Sequence, residues 1–294
     1  MIRRHRVSSF YKVFAVAWAL GGPAPSALGA PAAPPPPAKA KAKPGKGKAE
    51  AGPKLDVVTL KKQLGGPEAE VVAALRTIAE SDSPDGPPLV AEVLARGGTT
   101  PILEEALKTA GKLKTPSLSA AVAPYVQHRT EEIRRAAART LIKTKGSAAI
   151  DALSKALRSQ DASVRGTAAT GLGELGAHEA MKDLFTAFDH GVGEAASSIG
   201  QLCTPEECEK FAERTGRVTF DVMQTGFDQI LFRPVTEISD EDKIKLVGKL
   251  RELGTVEIGK YLADVGERWP KDWSKKVKQA IDSAARAAAG GAKK

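Results

Sequence analysis

The sequence predicts an all-α fold: an α-solenoid of about six to seven helix pairs across residues 55–288, preceded by a signal peptide and a disordered linker. Three observations carry that prediction. A short helix with both ends marked, DASVRGTAATGLGELG at 161–176, recurs at a spacing of 31 residues. Each copy follows another apolar segment of helical period. No stretch alternates apolar and polar residues as a half-buried strand would.

The marked helix sets the pattern. Asp161 stands at the N-cap position, where its carboxylate can accept the unpaired backbone N–H groups of the first turn. Val164, Ala168, Leu172 and Leu175 then share one face. Ala169, Gly171 and Gly173 are small, which lets a neighbouring helix come close; that gain must outweigh the ~1 kcal/mol each Gly costs relative to Ala. Gly176 sits where a C′ glycine belongs. A helix of this length cannot bury such a face alone, and the copies supply the rest. Ile133 lies 31 residues before Val164; Ile102, Ala106, Gly111 and Leu113 lie in the same register one repeat earlier; Ala195, Ala196, Ile199, Gly200 and Leu202 follow 27 residues on. The partner segments are LDVVTLKKQL, LVAEVLA, LSAAVAPYV, AIDALSKAL and AMKDLFTAF.

Asp161–Gly176 resembles the second helix of a bacterial HEAT-like repeat, of the short kind grouped with phycobilisome-lyase-type repeats. Residues 55–204 carry recognisable copies, and 205–288 are helical but divergent, as a C-terminal cap would be. The resemblance implies an Asp–Arg ladder between repeats. Asp161 and Arg165 match its positions, Glu132 and Arg134 match approximately, and Gly191 and Gly193 do not, so the ladder is expected to break near the fifth repeat. It also implies that the second helices line the binding face. Arg135, Arg139, Thr170, Glu174 and Ser197 are then the candidate partner contacts, with Arg135 and Arg139 as paired donors for carboxylates. Two HEAT-like families are enzymes, the bilin lyases and the alkylpurine DNA glycosylases. Nothing here singles out a bilin site.

The N-terminus reads as a secretory signal over residues 1–29. Arg3, Arg4, Arg6 and Lys12 precede the apolar core Val13–Leu20 and the small residues around Ala27–Ala30. That core is shorter than the roughly 20 residues a membrane span needs. Residues 30–54 form a Pro/Ala/Lys linker that buries nothing, either a solvated spacer or a basic segment for an anionic envelope surface. Residues 289–294 are expected to fray. The protein is thereby expected in the periplasm or secreted.

The formal net charge of +9 suggests nucleic acid, but its distribution argues otherwise. Residues 1–54 hold ten Lys and Arg and one Glu, leaving 34 basic and 34 acidic residues in 55–294. A neutral body lacks the basic stripe that phosphate binding needs. Locally the charge is banded: nine basic against four acidic residues in 129–165, then five against fourteen in 179–242. Such bands suit a charged protein partner.

No catalytic, cofactor or metal site is expected. Cys203 and Cys208 flank one inter-repeat turn and form either a local disulfide or two buried thiols. His178 shares their edge but His190 lies at the opposite one, so four zinc ligands do not converge. Trp273 shares a face with Val277 and Ile281, which makes Trp269 and Trp273 cap core or, alternatively, an aromatic platform. The resulting expectation is a non-enzymatic scaffold for a protein partner.

Overall fold

The computed structural model describes residues 55–291; the expected signal peptide and linker lie outside them. Fifteen α-helices and no β-strand are found among the described residues. They pair as α1 (Val57–Leu64) with α2 (Glu68–Ala79), α3 (Gly86–Arg96) with α4 (Thr100–Leu113), α5 (Ser119–Val122) with α6 (Glu131–Thr144), and α7 (Ser147–Ala156) with α8 (Ala162–Glu174). Then come α9 (Met181–Asp189) with α10 (Ala195–Leu202), α11 (Pro205–Ala212) with α12 (Phe220–Leu231), and α13 (Asp240–Leu253) with α14 (Val256–Arg268). A final helix, α15 (Lys275–Gly291), packs on both α13 and α14. It runs past residue 288, so Ala289–Gly291 continue the helix where fraying was expected.

One feature departs from the simple periodic reading and another extends it. The segment LSAAVAPYV is not one helix: α5 is a single turn between 3₁₀ turns at Pro116–Leu118 and Ala123–Gln127. Pro124 lacks the N–H that would continue α5 and clashes with the preceding turn. The C-caps also follow the 31-residue rule. Lys114, Lys145 and Gly176 share one register and all adopt left-handed backbone, with φ of 51°, 57° and 67°. At Gly176 the Ala177 N–H reaches back to the Leu172 carbonyl at 3.0 Å, closing the helix as a Schellman turn.

The second helices form the spine. Contacts run α2 to α4, α4 to α6, α6 to α8, α8 to α10 and α10 to α12, with α14 continuing from α12. Buried hydroxyls stitch this layer at one repeated position. Thr109 donates to the Leu75 carbonyl at 3.2 Å, Thr140 to Leu107 at 3.0 Å, and Ser198 to Ala169 at 2.8 Å. Each acceptor is a helix carbonyl whose spare lone pair takes a second bond. At that register α8 carries Gly171, and a second tight position two residues on carries Gly173 and Gly200. A Cβ on Gly171 would lie 2.5 Å from the Ile142 side chain, one on Gly173 2.5 Å from Ser198 Oγ, and one on Gly200 would overlap the Gly226 carbonyl oxygen. Around this contact a continuous apolar core runs the length of the described chain, with Val164, Ala168 and Leu172 fully buried. Leu175, the C-cap residue of α8, is only half buried and packs against that core from its edge.

Thr140→Val is therefore expected to cost about 1 kcal/mol, the value of one buried hydrogen bond. Gly200→Leu is expected to cost at least ~1–3 kcal/mol from overpacking. Urea unfolding of the two variants beside wild type, read by far-UV circular dichroism, checks both.

Candidate partner-binding surface

Asp161 is the main polar junction between two repeats. Its carboxylate caps α8 by accepting from Ser163 N at 2.9 Å and Val164 N at 3.4 Å. It also takes a two-pronged contact from Arg135 on α6, Nε at 3.1 Å and Nη2 at 3.4 Å, with Arg134 at 3.8 Å. Burial pushes the Asp161 pKa up, but the Arg135 hydrogen bond and the two amides outweigh it and hold the carboxyl below its usual range. Arg135, which pairs with Glu131 as well, is in turn held above its ordinary value by Asp161.

This arrangement corrects two expectations. Arg135 was expected to stand free for a partner, yet its guanidinium is spent on the joint between repeats. Arg165 was expected to ladder to a neighbouring repeat, yet it donates to Ser159 O at 2.8 Å and Gln160 O at 3.1 Å of its own turn. Arg134, one repeat earlier, grips the carbonyls of His128 and Arg129 in the same way, each at 3.0 Å. The ladder residue is the one after the clamp. At the next repeat that place is Gly166, and its Cβ would meet the Glu194 carboxylate at 2.6 Å, so the ladder has no arginine there.

Among the remaining candidates, Arg139, Thr170 and Glu174 are exposed and Ser197 is half buried. Arg139, Thr170 and Ser197 occupy one register on α6, α8 and α10, and Lys143 and Glu174 the register one turn on. Among the described residues Arg139 has no ion-pair partner.

The structure also opens a cleft that the sequence did not reveal. It lies where the turn 126–129 faces the turn 155–160, and its volume is about 540 Å³. Arg129, Arg134, Lys155 and Arg158 line it, with His128, and no carboxylate does. Arg129 and Lys155 are exposed. Arg158 reaches Asp183 at 3.0 Å with its side chain 76% exposed. On the far side of Arg158 lies a second pocket of about 270 Å³, with Leu157, Ala187 and Val192 as its apolar walls. The basic band over 129–165 was the available signal, but spacing alone assigned it to the helix face rather than to the turns.

Cys203 and Cys208 are joined, with S–S of 1.98 Å and Cα–Cα of 5.3 Å. Thr204 and Glu207 form a capping box over the same turn. Among the described residues no group of three or more His, Cys, Asp or Glu gathers as a metal site. Trp269 is buried and meets Trp273 edge-on at 5.3 Å. Between them and the turn after α12 lies Lys243, only 2% exposed, its ammonium 4.9 Å from the Trp273 ring and donating to the Arg233 carbonyl. Sequence reasoning missed Lys243, although it falls on the stripe of Leu246, Val247 and Leu250. Desolvation lowers its pKa to about 8.

Two outcomes follow. Asp161→Ala should destabilise the protein by about 1–2 kcal/mol, since it removes a cap and strands Arg135; the loss should shrink in acid as the wild-type carboxyl itself protonates. Lys243 binds its proton more weakly folded than unfolded, so the wild type should gain stability relative to Lys243→Met as pH rises from 8 toward 10.5, approaching ~3 kcal/mol at the limit. Denaturant unfolding of wild type and variants across pH checks both directions.

Comparison with known proteins places the repeats. The sequence model for HEAT repeats matches residues 87–166 and 121–198, from α3 into α10. No curated protein matches the chain. Among solved structures, the complex of CpcE and CpcF of phycocyanin lyase from Nostoc sp. PCC7120 is 17% identical, covering 83% of this chain and 100% of that one, with a TM-score of 0.42. An engineered protein is 16% identical over 81% and 98% of the two chains, with a TM-score of 0.38. A designed armadillo repeat protein in complex with peptide (KR)4 is 14% identical over 79% and 99%, with a TM-score of 0.39. The matched repeats contain the Asp161 junction and the Thr140 and Ser198 rungs of the hydroxyl ladder, and residues 87–198 are HEAT-like repeats within an all-α fold.

Proposed function

We propose that the protein is an exported, non-enzymatic repeat scaffold that holds a protein partner in the periplasm or cell envelope. The observation that carries this reading is the spine of second helices. Its interior polar groups are spent on inter-repeat contacts, while the solvent side keeps a constant register of polar positions across α6, α8 and α10. Fixed neighbours with an ordered outer row make an extended docking surface rather than a reaction pocket. Among the described residues no helix is long and apolar enough to cross a membrane. The basic, then apolar, then small-residue order of residues 1–30 supports export, and the paired Cys203 and Cys208 suit an oxidising compartment. Nucleic acid is not proposed as a partner, given the neutral body.

The Lys-rich composition of residues 30–54 supports a second role, retention on an anionic envelope surface. Deleting 31–54 separates the two: partner capture is expected to survive, and envelope retention to fall.

Affinity capture from cross-linked cells, with mass spectrometry of partners and of the N-terminus, tests the main reading. A mature N-terminus near residue 30 and a small reproducible set of envelope proteins is the expected result. Arg139→Glu with Lys143→Glu is expected to abolish that capture. An intact Met1 with partners from inside the cell would overturn the assigned compartment.

A further inference from the structure

Resting on the scaffold reading, we infer that the cleft between the turns 126–129 and 155–160 is a docking site for an acidic segment of the partner, with an aliphatic side chain beside its carboxylates. Three observations carry it. First, the cleft is one-signed. Four cationic side chains line it without a carboxylate, and among the described residues Arg129 and Lys155 make no ion pair. Charges left this way in a body of zero net charge are complementary to an external anion. Second, the two pockets adjoin. Arg158 belongs to both the basic cleft and the apolar pocket of Leu157, Ala187 and Val192. A ligand seated on Arg129 and Lys155 meets an apolar recess next, and Asp183 on that recess already occupies Arg158 and keeps a further acid out. Third, the walls are fixed. Arg134 and Arg165 clamp the carbonyls of the two facing turns, so the cleft exists before a ligand arrives and little ordering cost falls on binding.

The volume, about 540 Å³ for the basic part, holds a few side chains rather than a folded domain. An extended peptide segment is the occupant that fits both parts. A basic segment is excluded by sign, and a purely apolar one would leave the cations of the larger cleft desolvated and unpaired.

Fluorescence anisotropy with the full chain tests this. The probe is a short fluorescein-labelled peptide with a run of glutamates followed by leucine. Two control peptides carry glutamine for the glutamates or serine for the leucine. The expected order is Glu/Leu over Glu/Ser over Gln/Leu, with affinity falling as salt is raised. Arg129→Glu with Lys155→Glu, both at exposed positions, is expected to weaken the first peptide at least about tenfold while leaving the melting temperature in place. Thr186→Glu, at the mouth of the apolar pocket, is expected to erase the preference for leucine over serine. Unchanged binding in the double variant would place the peptide on the basic residues 1–54 instead and overturn the proposal. Equal binding of the glutamine peptide would overturn it too. The two readings fail separately: if capture of envelope partners survives Arg129→Glu with Lys155→Glu but not Arg139→Glu with Lys143→Glu, the cleft is not the docking site and the scaffold stands, whereas capture of no envelope partner by the wild type overturns the scaffold reading itself.

Discussion

Everything in this molecule depends on how closely adjacent second helices approach. At Gly200 and Gly226 the backbones leave no room for a methyl group. At Thr109, Thr140 and Ser198 a hydroxyl fits, because it turns the close approach into a hydrogen bond to the neighbour's carbonyl. Close approach is thus met by two chemistries at neighbouring positions of these helices: no side chain at Gly200 and Gly226, and a short donor at Thr109, Thr140 and Ser198. This explains why helices rich in poor helix formers persist. The intrinsic cost of each Gly is about 1 kcal/mol, whereas burying a residue such as Leu172 or Ile199 contributes about 1.5–3 kcal/mol.

Charge is arranged around that contact in two tiers. Asp161 sits at a helix start, where the amides and the helix dipole favour an anion, and it is thereby available to receive Arg135 from the preceding repeat. One carboxylate thus closes its own helix and registers the previous one. Arg134 and Arg165 act at shorter range, each fastening the turn that precedes its helix. Similar inter-repeat pairs recur away from the centre, Arg76 with Glu105 and Arg214 with Asp189. At the C-terminal end such a pair, Arg268 with Asp228, stands beside an aromatic cluster. Trp269 and Trp273 flank Lys243, and Phe232 packs on both rings, so a cation is buried beside aromatic faces.

The repeat period, the Asp161 cap, the Gly176 stop and the apolar stripe were all legible, because each is a local rule that a single helix must obey. The break at Pro124 was legible in principle: one residue inside an apolar run removes a donor. Which of two neighbouring arginines crosses between repeats was not legible. Arg134 and Arg135 differ by about 100° around α6, and that angle becomes a contact only when the spacing to α8 is known. The basic cleft was hidden for a related reason. Its walls come from two turns about 30 residues apart, and composition reports the charge of a segment without reporting the face it lands on. Lys243 was overlooked because a lysine on an apolar stripe is normally read as snorkelling to solvent, whereas the two tryptophans that keep it in lie more than 25 residues further on.

Lys114, Lys145 and Gly176 turn the chain from one central repeat to the next with a single left-handed residue. That economy has an evolutionary consequence. Along this edge of the central repeats an inserted residue would shift the following helix out of register with the spine, so length there is held constant. The opposite edge obeys no such rule: its turns differ in length, as the Gly97–Thr99 connection and the longer one between Ala212 and Phe220 show. Within the central repeats, new loops are thus free to arise on the side where the basic cleft opens. A lineage of such chains would be expected to diversify its specificity there, by insertion and loop exchange, while the other edge and the spine behind it stay uniform.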